Sequence, residues 1–427
     1  MSEITDLLHI LKGIGPVRAG IKWGSECVEI YVVNPGDNVD EIAARAGIPV
    51  ETLIFDNQIP YPYRLAVGQA LILSNNRRSG SEKSGDSSSD GGAAGQVVPG
   101  SSRLYVSGYG YPFIRQEVLQ ETLPFLTAFY VFSYGFTAEG ELVPPMTDDA
   151  AVLQAVGAAR VRPVLTLTSI GLDGRFHSSQ VHLLVTDFFL QRKVLLKLGQ
   201  VMVDRGFEGL DIDFEYVEEA DRLAFSEFVR RAAGMMNQLG FPVSVALAPK
   251  TSAGQRGLLY EGIDYQLLGA AANRAMLMTY EWGYSQGPPM AVAPIHMVRR
   301  VAEYALTEIP SQKISLGIPN YGYDWPLPYI RGQTRARTLH SLEAIQLAID
   351  HGVEIRFDEQ AQTPYFRYWQ YGIQHEVWFE DPRSLYAKFR LVKELGFSGV
   401  GYWTLMNFYR PNWLLLTEMF EVESSWE

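Results

Sequence analysis

Three carboxylates stand two residues apart in the segment Gly209-Leu-Asp-Ile-Asp-Phe-Glu215. On an extended chain alternate residues share a face. Asp211, Asp213 and Glu215 then form one acidic row, with a step of about 6.6 Å, and Leu210, Ile212 and Phe214 form an apolar row opposite. Two folded settings suit this pattern. In a solvated antiparallel strand the acids simply face water. In a closed barrel the apolar row packs on surrounding helices and the acids point into the lumen. There they are costly to ionise together, so Asp211 and Asp213 share a proton and titrate as a coupled pair. Glu215, last in the row, then lies at the C-terminal mouth, where barrel active sites form. A row of acids held out of water is equipment for moving protons. A calcium or magnesium site is a third option, disfavoured because a straight strand spreads the oxygens too far apart for one ion.

The elements that must position this row come from the rest of the pattern. Short apolar runs at Leu104 to Tyr109, Leu126 to Ser133, Pro163 to Thr168, Gly209 to Glu215, Val243 to Ala248, Ala275 to Tyr280, Ile314 to Ile318 and Gly399 to Trp403 read as strands. Amphipathic stretches such as Gln191 to Val203, Arg222 to Leu239 and Ile295 to Leu306 lie between them. Eight strands with intervening helices predict a parallel (β/α)8 TIM barrel of the α/β class over residues 103–427. The stretch from Pro319 to Phe397 is too long for a βα connection and predicts a small α+β insertion at about 319–397, between the seventh and eighth strands. It holds a hairpin, Tyr365 to Trp369 against His375 to Phe379. Its aromatic residues suit sugar stacking and a half-buried hairpin equally.

Ahead of the barrel, 11 of the 17 residues in 79–95 are Ser or Gly. Such a stretch cannot bury enough to offset its ordering entropy, so residues 75–102 read as a flexible linker. Residues 28–74 form a smaller unit. Glu29 to Val33 alternates like a strand and Pro35-Gly36-Asp37 is a turn. Asn38 is an N-cap with Glu41 three residues on, and Gly47 ends the helix. A second helix runs from about Pro49 to Asp56, and Leu71 to Leu73 is a second strand. The order is β-α-α-β. On a flexible tether this unit is expected to act on the barrel through local concentration alone. Residues 1–27 are an extension of uncertain role.

The balance of 36 Lys plus Arg against 48 Asp plus Glu leaves a net charge of −12, which disfavours nucleic acid and anionic membrane as main partners. With Cys27 as the one cysteine, no intrachain disulfide and no Cys/His zinc spacing is available. The seven histidines are scattered and none is nominated as a metal ligand. No cofactor is expected. No apolar run reaches the length of a membrane span. The N-terminal stretch, with Glu3, Asp6 and His9 around a short apolar run, lacks the pattern of a secretion signal.

The small unit resembles the LysM domain in Tyr31-Val-Val33, Pro35-Gly-Asp37, Ile42-Ala43 and Leu65 to Ile72, which implies binding of chains of N-acetylglucosamine-type sugar. The large unit resembles glycoside hydrolase family 18, the chitinase-like barrels. Gly206 to Glu215 matches the last three acids of its D-x-x-D-x-D-x-E signature, with Glu208 at the first. Met278-Thr-Tyr-Glu281 resembles M-x-Y-D, with Glu281 for Asp. Leu316 to Gly322 resembles G-x-P-x-Y-G, Ser169 to Leu172 half of S-x-G-G, and Trp403 the tryptophan under the reacting sugar. Thr279 to Tyr284, Gly287 to Val292 and Asn412 to Leu416 are similar to the spore cortex-lytic N-acetylglucosaminidases of endospore-forming bacteria.

These resemblances imply a retaining hydrolase whose nucleophile is the substrate's own 2-acetamido oxygen. They imply Glu215 as acid and base, Asp213 as the group that orients the acetamide, Asp211 as its proton-sharing neighbour, and Tyr280 as a donor to the acetamido oxygen. Trp403 would stack on the sugar. Glu281 would reach sugar hydroxyls. Asn320, Tyr321 and Asp324 are candidates for lining the cleft, with structural roles equally open. The implied partner is peptidoglycan, with chitin as the alternative, and the implied location is the spore coat or cortex after synthesis in the mother cell. Family members that lose the acid bind glycan without cleaving it; the presence of Glu215 points to catalysis.

Overall fold

A computed structural model describes residues 28–74, 103–171 and 175–424 of the chain. The expected linker, the N-terminal extension and Leu172 lie outside the described residues.

In the small unit, β1 (Val28–Val32) pairs antiparallel with β2 (Ala70–Ser74). Two helices, Val39–Ala46 and Val50–Asp56, lie between them. The capping read from sequence is present: the Asn38 side chain accepts from the Glu41 N–H, and Gly47 closes the first helix at φ 68°. Ile42, Leu53 and Leu71 fill a core between helices and hairpin.

The large unit is a closed barrel. Its strands are β3 (Arg103–Gly110), β4 (Ala128–Phe136), β5 (Arg162–Thr168), β6 (Gly209–Asp213), β7 (Val243–Leu247), β8 (Arg274–Leu277), β9 (Ile314–Pro319) and, after an insertion, β15 (Gly399–Trp403). Each pairs in parallel with the next, and β15 pairs back onto β3 with Trp403 opposite Tyr109. The apolar row of β6 points outward: Phe214 stacks on Phe225 and Phe228 of the helix Arg222–Gln238, with ring centroids 5.7 and 5.8 Å apart. Asp211 and Asp213 are therefore turned into the lumen, where both are buried. Two strands end sooner than their patterns suggest. β6 stops at Asp213 and β8 at Leu277, so Glu215 and Tyr280 stand on the loops that leave the barrel mouth.

The stretch between β9 and β15 holds a five-stranded antiparallel sheet and a helix, Ser341–His351. Its strands are β10 (Gly322–Leu327), β11 (Arg337–Leu339), β12 (Arg356–Asp358), β13 (Thr363–Gln370) and β14 (Ile373–Trp378), and β13 with β14 is the expected hairpin. The helix Pro382–Leu395 falls within the stretch counted as insertion from sequence. It packs on β9 and on the helix Ile295–Glu308, so it belongs to the barrel's outer ring. The signal for that boundary is local: Asp381 and Ser384 form a reciprocal capping box around Pro382.

The small unit is not a free module. Ile30, Ala66, Ala70 and Ile72 join the barrel's own hydrophobic cluster, and β2 lies against the helices Pro382–Leu395 and Arg410–Met419. The Ile355 N–H donates to the Val67 carbonyl at 2.9 Å, Arg383 to the Gly68 carbonyl at 3.1 Å, and the Arg410 N–H to Gln58 Oε1 at 2.6 Å. The Arg410 guanidinium sits 4.1 Å over the Phe55 ring. Gly68 is required at this seam: its φ is +81°, and a Cβ there would meet the Ile355 carbonyl at 1.9 Å. The sequence expectation of a unit acting through concentration alone is corrected on this point, because Ile30, Ala70 and Ile72 of its two strands pack into the barrel's cluster.

Residues 103–427 on their own should therefore melt below the full chain in scanning calorimetry, by about 2–4 °C for each kcal/mol of lost packing. Equal melting temperatures would mean that the seam contributes nothing.

Candidate active site

Asp211 lies deepest in the lumen, and both of its oxygens are engaged. Ser244 of β7 donates to Oδ1 at 2.6 Å and Tyr109 of β3 to Oδ2 at 3.0 Å. Burial pushes its carboxyl up to about 6, against the lowering effect of these two donors. Asp213 is one step nearer the mouth. Burial, then the charges of Glu215 and Asp211, hold its carboxyl well above the usual range. Among the described residues nothing bonds Asp213 Oδ1, which is buried. Glu215 is half-buried at the rim, and its carboxyl is pushed up to about 7 by burial and by the charge of Glu281. The three acids cannot all be ionised near neutrality. The hydroxyl donors favour charge on Asp211 and leave the proton with Asp213, in contact with Glu215's field.

Above them lies a cleft of about 680 Å³, lined by Asp213, Glu215, Tyr280, Glu281 and Trp403 among aromatic walls. Tyr280 is buried, and its hydroxyl is held protonated by burial and by the charges of Asp213, Glu215 and Glu281. It is a standing donor. Gly317 of β9 makes room for it, since a Cβ there would lie 2.9 Å from the Tyr280 ring. Trp403 is braced edge-on by Phe132 at 4.9 Å and Tyr109 at 5.6 Å. Tyr111, stacked on the exposed Phe113 at 5.0 Å, extends this wall outward. Tyr216 and Glu281 both adopt left-handed backbone, at φ 58° and 65°. Strain of this kind in non-glycine residues gathers at working sites.

Glu281 is fixed by the insertion. Tyr321 and, at 2.8 Å, Tyr323 both donate to its Oε1. Tyr321 therefore acts on Glu281 and is not itself among the cleft's lining residues. Two further candidates stand away from the cleft. Asn320 donates to the carbonyls of Thr404 and Asn407, at 2.9 and 2.8 Å, and ties down the loop after Trp403. Asp324 is buried in the insertion, where Tyr368 donates to it at 2.7 Å and His375 Nδ1 lies 2.8 Å away. Glu208, in place of the signature's first Asp, lies at the other end of β6 and pairs with Arg162 at 3.8 Å. Ser244, Tyr109, Tyr111 and Phe132 escaped the sequence reading. Each comes from a different strand or loop, and no local motif links it to the acids.

Residues 148–407 match the sequence model of the glycosyl hydrolases family 18. The chain belongs to glycosyl hydrolase family 18. Residues 31–74 match the LysM domain. The barrel is thus a glycosidase of family 18, joined to a glycan-binding module. The chain is similar to the cortical fragment-lytic enzyme of Bacillus subtilis, at 41% identity over 310 residues that cover 72% of this chain and 71% of that protein. It is similar to the cortical fragment-lytic enzyme of Bacillus cereus at 32% identity, over 92% of this chain and 99% of that one. The crystal structure of the Bacillus cereus spore cortex-lytic enzyme SleL superimposes with a TM-score of 0.85 at 32% identity, covering 93% of this chain and 99% of that one. A chitinase from Chromobacterium violaceum, at 24% identity and a TM-score of 0.69, shares the fold.

Two outcomes follow for this family 18 site. With Glu215 read as a general acid, which must be protonated to act, activity should fall as pH rises through about 7, the value to which its carboxyl is pushed. Glu281→Gln removes a charge that raises Glu215, so this limb of the kcat/KM profile should move to lower pH; an unmoved limb would show that the two carboxyls do not interact. The second outcome concerns stability. Asp213 is raised in the folded state. Its stabilising contribution is complete below the unfolded-state value, near 3.9, and is lost as pH rises toward the folded one. Asp213→Asn should therefore melt higher than wild type at pH 8, with the difference shrinking toward pH 4. A difference independent of pH would place the proton elsewhere.

Proposed function

We propose that this chain is a retaining, substrate-assisted N-acetylglucosaminidase acting on peptidoglycan of the spore cortex. The observation that carries the reading is the acid row: Asp211 anchored by two donors, Asp213 buried above it with its carboxyl held well above the usual range, and Glu215 at the cleft floor with its carboxyl pushed up to about 7. The relatives named for cortical fragment lysis support the substrate, and the module at residues 31–74 supports a polymeric glycan. The reading also places the enzyme with the spore.

The sugar to be cleaved lies on Trp403, with its 2-acetamido group turned down toward Asp213 and Tyr280. The Tyr280 hydroxyl donates to the acetamido oxygen and holds it beneath the anomeric carbon. Asp213, through the oxygen left free among its neighbours, takes the acetamido N–H. The acetamido oxygen attacks the anomeric carbon as Glu215 gives its proton to the leaving glycosidic oxygen. The bond to the leaving sugar breaks and an oxazolinium forms. Its positive charge is stabilised by the carboxyls buried below. Glu215, now ionised, deprotonates the incoming water, which opens the ring and restores the starting configuration. Glu281, Asn320, Tyr321 and Asp324 then act by position: Tyr321 fixes Glu281 beside the acid, Asn320 fixes the loop carrying Trp403, and Asp324 stabilises the insertion.

Glu215→Gln should lower turnover of cortex fragments by about 10²–10⁴-fold while leaving the fold intact, since the exchange is nearly isosteric. Near wild-type turnover would sink the assignment. Release of N-acetylglucosamine ends from cortex fragments, followed by mass, tests the substrate; cleavage confined to chitin oligomers would replace peptidoglycan with chitin.

A further inference from the structure

The outer face of the insertion sheet connects the cleft to the small unit. Cross-strand partners share a face, and the register aligns Tyr323 with Trp378, Trp378 with Tyr365, and Tyr365 with Arg356. Tyr323 touches Glu281 at one end of this row. Trp378 and Tyr365 stack in the middle, 4.6 Å apart and 15° from parallel. Arg356, three strands or about 14 Å from Tyr323, is at the other end. Next to it, Ile355 is buried and bonded to Val67 of the small unit.

At this far end lies a groove of about 450 Å³, lined by Val353, Glu354, Arg356, Tyr365, Arg367 and Gln374. Alternation explains its charges. Ile355 turns in toward the small unit, so Glu354 and Arg356 turn out together. Among the described residues no hydrogen bond or ion pair engages the side chain of either. Arg367 is different. Its Nε and Nη2 both lie 2.7 Å from Glu376 Oε2, and Trp378 donates to Glu376 Oε1 at 2.8 Å. The guanidinium is neutralised and held in one pose, with three of its five N–H groups left over. The groove thus offers one free cation, one free anion, a fixed fork of donors and an aromatic ring. A neutral sugar has no use for the free charges. A polyanion would be repelled by Glu354. A zwitterion satisfies both.

We propose that this groove binds the zwitterionic peptide carried by the glycan, with a carboxylate on Arg356 and the spare N–H groups of Arg367, an ammonium on Glu354, and an aliphatic stem over Tyr365. The assignment rests on the peptidoglycan reading given above. The sugar chain would occupy the cleft while its peptide reaches along the Trp378 and Tyr365 row, which makes the insertion a reader of the substituent.

The test is calorimetric titration of the full chain with the tripeptide N-acetyl-L-alanyl-γ-D-glutamyl-meso-diaminopimelic acid, whose blocked N-terminus leaves the one ammonium that the glycan-borne peptide carries. Saturable binding is expected, weakened at least about tenfold by Arg356→Glu or by Glu354→Lys, the loss of one charge-assisted contact. The double exchange of Glu354→Arg with Arg356→Glu should recover part of it, which a loss of folding would not. No saturable binding by the wild type, or reversals without effect, would overturn the proposal. Cleavage of spore cortex fragments by the wild type is followed in parallel. Cleavage without tripeptide binding overturns the groove alone, and tripeptide binding without cleavage supports the groove while removing the reading of the chain as a cortex peptidoglycan hydrolase.

Discussion

The structure turns on the burial of carboxylates in one barrel lumen where, among the described residues, two hydroxyls donate to them, both to the same acid. Tyr109 and Ser244 both give their hydrogens to Asp211. Those donors favour the charged form of Asp211, while burial and neighbouring charge hold the carboxyl of Asp213 well above the usual range and push that of Glu215 up to about 7. Solvated carboxylates would all be ionised at pH 7 and none could act as an acid. The desolvation that makes this row costly is also what makes it chemically useful.

That cost is offset by the scaffold. The outward side chains of β6 stack into the helix behind them, and the strands on either side are fully paired. Rigid neighbours can hold a strained site. The left-handed backbone of Tyr216 and Glu281 flanks the acids, and the insertion secures the second of these through Tyr321 and Tyr323.

The insertion sheet has two attachments. Its strand β10 reaches the loop that carries Glu281 through Tyr323, and the segment before β12 reaches the small unit through Ile355. The glycan-binding module and the cleft are thereby held in one orientation, joined by packed sheet rather than by the Ser/Gly-rich chain between them. A glycan seated on the module would meet the cleft at a set angle, so orientation adds to local concentration.

The sequence by itself determined whatever depends on neighbours along the chain. The period-two pattern of residues 209–215 set the acids on one face, and the small unit's Asn38 and Gly47 set its helix boundaries. Alternation of strands and helices pointed to the barrel, and the resemblance of its motifs to family 18 implied Glu215, Tyr280 and Trp403, which line one cleft. The tertiary structure alone decided what depends on residues distant in sequence. Alternation could not tell a lumen from a wet surface; only closure of β15 onto β3 removed the water. Asn320 and Asp324 carry the right chemistry, but their partners are Thr404 and Tyr368, residues that no local pattern connects to them. The docking of the small unit was hidden for the same reason. Ile30, Ala66 and Ile72 look like the core of a minor domain, and only the surface they meet reveals that they belong to the larger one. Local stereochemistry is written in nearest neighbours, whereas desolvation and partner choice arise from contacts between residues tens to hundreds of positions apart.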